Sequence, residues 1–551
     1  MDKRLILKNG KIYTSDKEQL WTDAICINAG RFESVGSENI DFAADDAQII
    51  DLKGKVVLPG FIDSHTHIGL SVMMGGEDDS MPIWDCKSKA EILEELKKHV
   101  KKHPFRLYYA AFFGQVEALA GETLTREDID KVVKWRPVIL MEQECHSAWL
   151  NTGAMKFMKL REDVKDMAPG YSYYERDAEG RLTGCIKEMT MLPLLAMTGD
   201  VSKKDLKASI LKIANYLLDH GVTTIYDAGN YFKEEETYKL LAEMDRAGEL
   251  PIRYEGTYII TSPDKAEVAV DELKRYKALY ETEHLKFNTV KIMFDGTHRI
   301  HTAKLVEPYN DATTTGGTML SEDKLYELMK CCNEEGLDFH AHTVGEGASK
   351  MILDCVECIK NEQGELKINV TLAHLETQRD EDIQRFKELG VIGNFTPHWH
   401  GGNDYGTEEE NARLLGEERA NKLFRVKSMI DSGATVSFSS DEVTLQLLDR
   451  WNPFLGIETG HTRQEVTDGG KAAPIFPAAE ERLTIEELVQ GYTINGAYQL
   501  HMNNEIGSIE VGKKTDFMIL DQDIFSIDPY DIHKIKPEVV VVEGKIVRGS
   551  F

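Results

Sequence analysis

The sequence predicts an α/β fold: a (β/α)8 barrel, a small β-sandwich domain built from both chain termini, and an inserted α+β subdomain after the first barrel strand. Three observations predict it. Eight short apolar runs have strand character: "GFIDSHTHI", "TTIYDAG", "RYEGTYII", "TVKIMFDG", "LDFHAHTVG", "NVTLAHLE", "VIGNFTPHW" and "TVSFSSDE". Helical stretches such as "SEDKLYELMKCCNEEG" and "DEDIQRFKELG" separate them and end on glycine, as helices often do. The polar clusters fall at the C-terminal ends of their runs, where such barrels keep their chemistry.

The ends of the chain follow a different rhythm. Before residue 59, "RLILKNGKIYT", "DAICINAGRFESVG" and "AQIIDLKGKVVL" alternate apolar and polar residues around Asn9-Gly10, Ala29-Gly30 and Lys53-Gly54, the pattern of small antiparallel strands. "GSIEVGKKTDFMILD" and "EVVVVEGKIVRG" repeat it near the C-terminus. Neither end supplies enough strands to bury a sheet face alone, so residues 1–58 and 505–551 are expected to share one β-sandwich. The barrel then takes 59–71 and 216–504. Residues 72–215 are too long for a loop and are expected to form a subdomain over the barrel mouth, covering substrate.

Composition narrows the function. With 551 residues, of which 42% are hydrophobic, the chain is long enough for several cores and close to the globular average. A formal charge of −29 disfavours phosphate backbones and anionic membranes as partners. No apolar run is long enough to cross a bilayer, and "MDKRLILKNGKIYTS" lacks the apolar core of a secretion signal. The eight cysteines are mostly scattered, and Cys355 and Cys358 lie on a helical stretch, so free thiols in a cytoplasmic protein are expected.

His65 and His67 lie two apart, which puts them on one face of a strand. Other strand ends offer matching groups: His342 in "LDFHAH", His374 in "NVTLAH", Asp441 in "VSFSSD" and Lys291 in "TVKIMF". Taken alone, His374 reads as a satisfied core histidine, and Asp441 is equally a helix N-cap. Lys291 is harder to explain, because an unpaired ammonium inside a barrel is costly. It must be paired, neutralised or chemically modified. Together these imidazoles and carboxylates suit Zn²⁺ and neighbouring divalent metals.

"LPGFIDSHTH" with "GSIEVGKKTDFMILD" resembles the amidohydrolase superfamily, whose (β/α)8 (TIM-type) barrel carries a metal centre beside a split β-sandwich. "HSAWLN", "TGCIKE", "VKIMFDGTHRIHTA" and "DEDIQRFKELGVI" resemble its large-insert branch, which includes N-substituted formamide deformylase. The resemblance implies that His65, His67, Lys291, His342, His374 and Asp441 hold one or two metal ions, most simply zinc. Lys291 would be carboxylated by CO₂ and bridge two metals, or stay unmodified beside one. Asp441 would handle the proton of the attacking water, and a homodimer is the implied assembly.

Around that set, His146, Asp295, His298, Glu346 and Arg463 are candidate substrate contacts, and His342 or His146 is a candidate to steady an oxyanion. "TPHWHGGNDYG" (396–406) is expected to be a mobile polar loop that admits substrate. Some positions depart from the family's pattern. Ala373 stands where relatives often have Glu, Glu346 where they have Asp, and Glu442-Val443 where they have Trp-Pro.

The expected function is hydrolysis of a non-peptide C–N bond, an amide or N-acyl (N-formyl) group, by metal-activated hydroxide. Two alternatives stand beside it. A single-metal deaminase of a cyclic amidine would use Glu376 or Glu346 as proton shuttle, but that subclass usually lacks the strand-four lysine. A catalytically inactive barrel kept for binding or assembly would usually have lost metal ligands.

Overall fold

Eight strands pair in parallel and in chain order: Phe61–Thr66, Val222–Asp227, Arg253–Ile260, Leu285–Met293, Asp338–Thr343, Val370–His374, Ile392–Phe395 and Val436–Phe438. They are the eight runs named above. The computed structural model describes residues 4–42, 47–71, 81, 83, 86–114, 124–142, 145–194, 201–402, 406–443, 447–466 and 470–551.

The last strand returns to the first. Ser64 Oγ donates to the Phe438 carbonyl at 2.7 Å, and the Asp441 amide donates to the His65 carbonyl at 2.9 Å. This closure puts the residues after strand eight beside the HxH pair of strand one. Helices cover the outside, so nearly every strand residue is buried on one face by the barrel interior and on the other by a helix. That is why the strands read as apolar runs rather than alternating ones. Four of the covering helices end on Gly336, Gly364, Gly390 and Gly433, each left-handed, where a glycine avoids the steric cost of a Cβ.

The sandwich has a four-stranded sheet built wholly from residues 4–51 and a six-stranded sheet shared by both ends. In the shared sheet Val57–Pro59 pairs antiparallel with Phe517–Ile519. Leu5, Ile27, Phe32, Val57, Phe517 and Val541 pack between the sheets. Arg253, at the start of strand three, reaches from the barrel to Asp516 and to Glu543, the latter at 2.7 Å. Such a buried cation is stable only because it meets two carboxylates.

Between the first two barrel strands lies a five-stranded sheet that includes Tyr109–Gly114, Val138–Glu142, Ser147–Leu150 and Leu182–Lys187. It has its own core of Ile92, Leu96, Tyr109, Leu140 and Trp149 under the helix Lys89–Lys102. The next helix, Lys203–Asp219, buries Ile210, Ile213 and Leu217 in the barrel's core cluster, so the expected border at residue 215 falls inside a barrel helix. All eight cysteines are free thiols, and Cys355 and Cys358 sit on the helix Glu346–Gln363.

Candidate metal centre

Parallel pairing sets the geometry at the C-terminal mouth. Ligand atoms of His65, His374 and Asp441 all lie within 4.8 Å of one another. His65 Nε2 is 3.3 Å from Asp441 Oδ1, and His67 Nε2 is 3.4 Å from the same oxygen. His374 Nδ1 approaches Asp441 Oδ2 at 3.6 Å. Lys291 Nζ lies 3.2 Å from His65 Nε2. The His342 and His374 rings are 4.4 Å apart. All six residues singled out from the strand ends therefore meet in one cluster.

Burial sets the charge states of His65, His342, His374 and Lys291. His65 and His374 are held well below the usual histidine range, first by desolvation and then by the neighbouring cation and imidazoles. His342 is pushed down to about 3 for the same first reason. The Lys291 ammonium is likewise pulled down to about 7 by burial, against the attraction of Asp441. A neutral imidazole offers one donor and one acceptor, and here not every ring nitrogen finds a partner. His374 Nε2 in fact has no hydrogen-bond partner although it is buried. Convergent nitrogen lone pairs, one carboxylate and an orphaned buried nitrogen are the donor set of a divalent cation, and the residues present fit one.

Surrounding residues aim these groups. His67 Nδ1 contacts the Gly229 carbonyl at 2.8 Å, which turns Nε2 toward Asp441, and its ring stacks on Tyr231 with centroids 5.6 Å apart. His65 Nδ1 is 3.0 Å from His340 Nε2. His374 stacks on Trp399 with centroids 5.3 Å apart. The backbone is left-handed at His374 (φ 79°), Leu375 (φ 49°) and Asp441 (φ 48°), strain that tends to gather at functional sites.

The inserted subdomain supplies His146. Strands Ser147–Leu150 and Leu182–Lys187 are antiparallel with Ser147 opposite Lys187, so the residues just beyond that pair, His146 and Glu188, face each other. His146 Nδ1 lies 2.6 Å from Glu188 Oε2, and Thr302 Oγ1 donates to Glu188 Oε1 at 2.6 Å. Glu188 is fully buried, and the His146 ring sits 5.5 Å from that of His342.

The other candidate contacts divide. Asp295 accepts from the amides of Val344, Gly345 and Lys304 at 2.9–3.0 Å and lies 3.4 Å from His342 Nδ1. Burial raises its carboxyl to about 7 despite those three bonds. It therefore orients His342 and pins two mouth loops. His298 is buried with both ring nitrogens unpartnered, 3.7 Å from Glu376, and remains a candidate contact. Glu346 is occupied elsewhere, accepting from the Val306 amide at 3.2 Å and Thr377 Oγ1 at 2.8 Å. Arg463 is not brought to the centre: it donates to the carbonyls of Phe424, Leu423 and Pro477 at 2.7–3.3 Å.

The 396–406 stretch also differs from its expectation. Pro397–Gly401 is a short 3-10 helix with Pro397, His398 and His400 buried, and its Trp399 stacks on His374. Residues 403–405 fall outside the described part of the chain. Sequence reasoning missed Glu188, His340, Tyr231 and Trp399. For His340 a signal existed, since "FHAH" repeats the HxH spacing of "SHTH". Glu188 becomes legible only once the register of its strand is known.

A family model described as amidohydrolase family matches residues 48–548. The chain belongs to the amidohydrolase family. N-substituted formamide deformylase of Arthrobacter pascens is 26% identical over 560 aligned residues, covering 98% of this chain and 97% of that protein. The exoenzymes regulatory protein AepA of Pectobacterium carotovorum is 26% identical over 406 residues, 72% of this chain and 85% of that protein. Among solved structures, an uncharacterized metal-dependent hydrolase from Pyrococcus furiosus superposes with a TM-score of 0.65 at 26% identity, over 95% of this chain and 100% of that one. This amidohydrolase is accordingly a hydrolase acting on carbon–nitrogen bonds.

Proposed function

We propose that the protein cleaves a non-peptide amide or N-acyl bond, with N-formyl amines as the first class to try. The observation that carries this reading is the buried cluster formed by His65, His374 and Asp441, with Lys291 next to it and the His146 ring 5.5 Å from that of His342. His65, His67, His342, His374 and Asp441 would hold divalent metal, most simply zinc. A metal there supplies Lewis acidity, which polarises a carbonyl and acidifies water.

The chain's own residues do the rest. Asp441, with its side chain 14% exposed, is placed to accept the proton of the attacking water and return it to the leaving nitrogen. Glu188 holds His146 through Nδ1, which sets Nε2 as the nitrogen that faces the substrate's carbonyl oxygen. Burial keeps a large share of Lys291 as the neutral amine at neutral pH. That is the form whose nitrogen lone pair adds to CO₂, releasing one proton and giving the carbamate that would bridge two metals.

The test is a panel of N-formyl, N-acetyl and longer N-acyl amines with metal-loaded enzyme, following amine and carboxylate release, beside cyclic amidines assayed for ammonia. Amine release that Asp441→Asn abolishes supports the proposal. Ammonia release from an amidine, with every amide left intact, would replace it by deamination.

A further inference from the structure

The net charge of −29 hides a local inversion. Three segments of the inserted subdomain, 97–108, 131–136 and 152–159, hold ten lysines and arginines and no aspartate or glutamate. The fold brings these segments together at one edge, where Lys97, Lys98 and Lys131 pair with Glu94, Glu95 and Asp128 and the other seven lie outside those pairs. Arg136 donates to the Pro104 carbonyl and to Tyr109 Oη, both at 2.6 Å, tying the turn after helix Lys89–Lys102 to the turn before strand Val138–Glu142. Lys156, on the helix Thr152–Phe157, places its ammonium 4.1 Å from the centre of the Trp135 ring.

The same edge exposes large apolar side chains. Phe105 is 96% exposed, Leu107 86%, Trp135 66% and Phe157 54%. Scattered single exposures need no explanation, but an apolar group with a basic rim marks an interaction site. Lys101 and Lys102 end their helix exposed, and Lys134 and Lys156 flank Trp135.

We propose that this edge docks on an anionic lipid surface, with Phe105, Leu107 and Trp135 entering the headgroup region and the lysines meeting lipid phosphates and carboxylates. Aromatic and leucine side chains on one face with lysines around them are what binds a protein in the plane of such an interface. Charge decides against the simplest rival. A two-fold pairing of two copies through this edge would set like charges against like. Among the described residues no helix is long and apolar enough to cross a membrane, so the contact is peripheral.

The experiment is flotation of the full-length, metal-loaded protein with phosphatidylcholine vesicles, with and without phosphatidylserine, at low and high salt. Binding is expected only with phosphatidylserine, to weaken at high salt, and to fall about fivefold for each lysine removed in a Lys101→Gln/Lys102→Gln/Lys134→Gln/Lys156→Gln variant. Brominated lipid should quench fluorescence that a Trp135→Phe variant lacks. A Phe105→Ser/Leu107→Ser/Trp135→Ser variant should lose binding while keeping its metal content and melting temperature. Failure of the wild type to float would overturn the proposal, as would binding that both variants retain. Sedimentation velocity adds a third contrary outcome: self-association that the serine variant abolishes, without any flotation, would make the edge a protein interface.

Discussion

Lys291 Nζ, on the fourth barrel strand, lies 3.2 Å from His65 Nε2 on the first. At that distance the lysine nitrogen can donate to the lone pair of the neutral imidazole. Lys291 is fully buried and is pulled down to about 7 by that burial. In the proposed reading it would serve the metal centre in its carbamate form.

Replacing Lys291 by Ala should therefore lower metal occupancy and reduce kcat/KM by about 100-fold or more. Lys291→Arg should be no better, because a guanidinium neither deprotonates near neutral pH nor forms a carbamate. Kinetics with metal analysis on both variants check this. An active arginine variant would show that position 291 needs only a positive charge.

Glu188 acts through His146 rather than on the substrate. Glu188→Gln should keep metal content unchanged and lower kcat by about 10- to 100-fold. The His146→Ala/Glu188→Gln double variant should be no worse than His146→Ala alone. Additive losses would mean that Glu188 works independently of His146.

Arg463 should report stability. Arg463→Met removes the guanidinium donors from the Leu423 and Pro477 carbonyls, and one of two donors from that of Phe424, and should cost about 2 kcal/mol or more, read as a lower denaturation midpoint. KM of the surviving folded fraction should match the wild type. A raised KM at unchanged stability would restore Arg463 to the substrate.

His284 joins barrel to sandwich, with Nδ1 2.8 Å from Asp245 and Nε2 3.4 Å from Glu543. The bond to Glu543 is the main cause that raises its pKa above 6.5. A raised folded-state pKa means that the stabilisation is fully present below 6.5 and is lost as pH rises through the folded value. Melting temperatures measured from about pH 6 to about pH 9 should fall for the wild type relative to His284→Gln. Parallel curves would show that the contact carries no linkage.

The barrel was legible because a parallel sheet covered on both faces writes each strand as an apolar run, and because most of the runs carry polar groups at their C-terminal ends. Closure of strand eight on strand one then makes neighbours of residues as distant as His65 and Asp441. What stayed hidden depends on register and on loops. Glu188 meets His146 because Ser147 pairs with Lys187, which no spacing encodes. Arg463 looked like a binding residue by its type, yet its donors serve backbone carbonyls in a left-handed turn (φ 52°). The lysine-rich edge of the insert was invisible in a net charge that averages over 551 residues.

The most direct test of the metal centre is elemental analysis of the purified protein, grown with metal and without chelator, beside His65→Ala, His374→Ala and Lys291→Ala variants whose folding is confirmed by their melts. The account predicts about one to two equivalents of divalent metal per wild-type chain, nearly none in either histidine variant, and a reduced content in Lys291→Ala. A folded wild type that binds no metal, or metal that persists in both histidine variants, would contradict it.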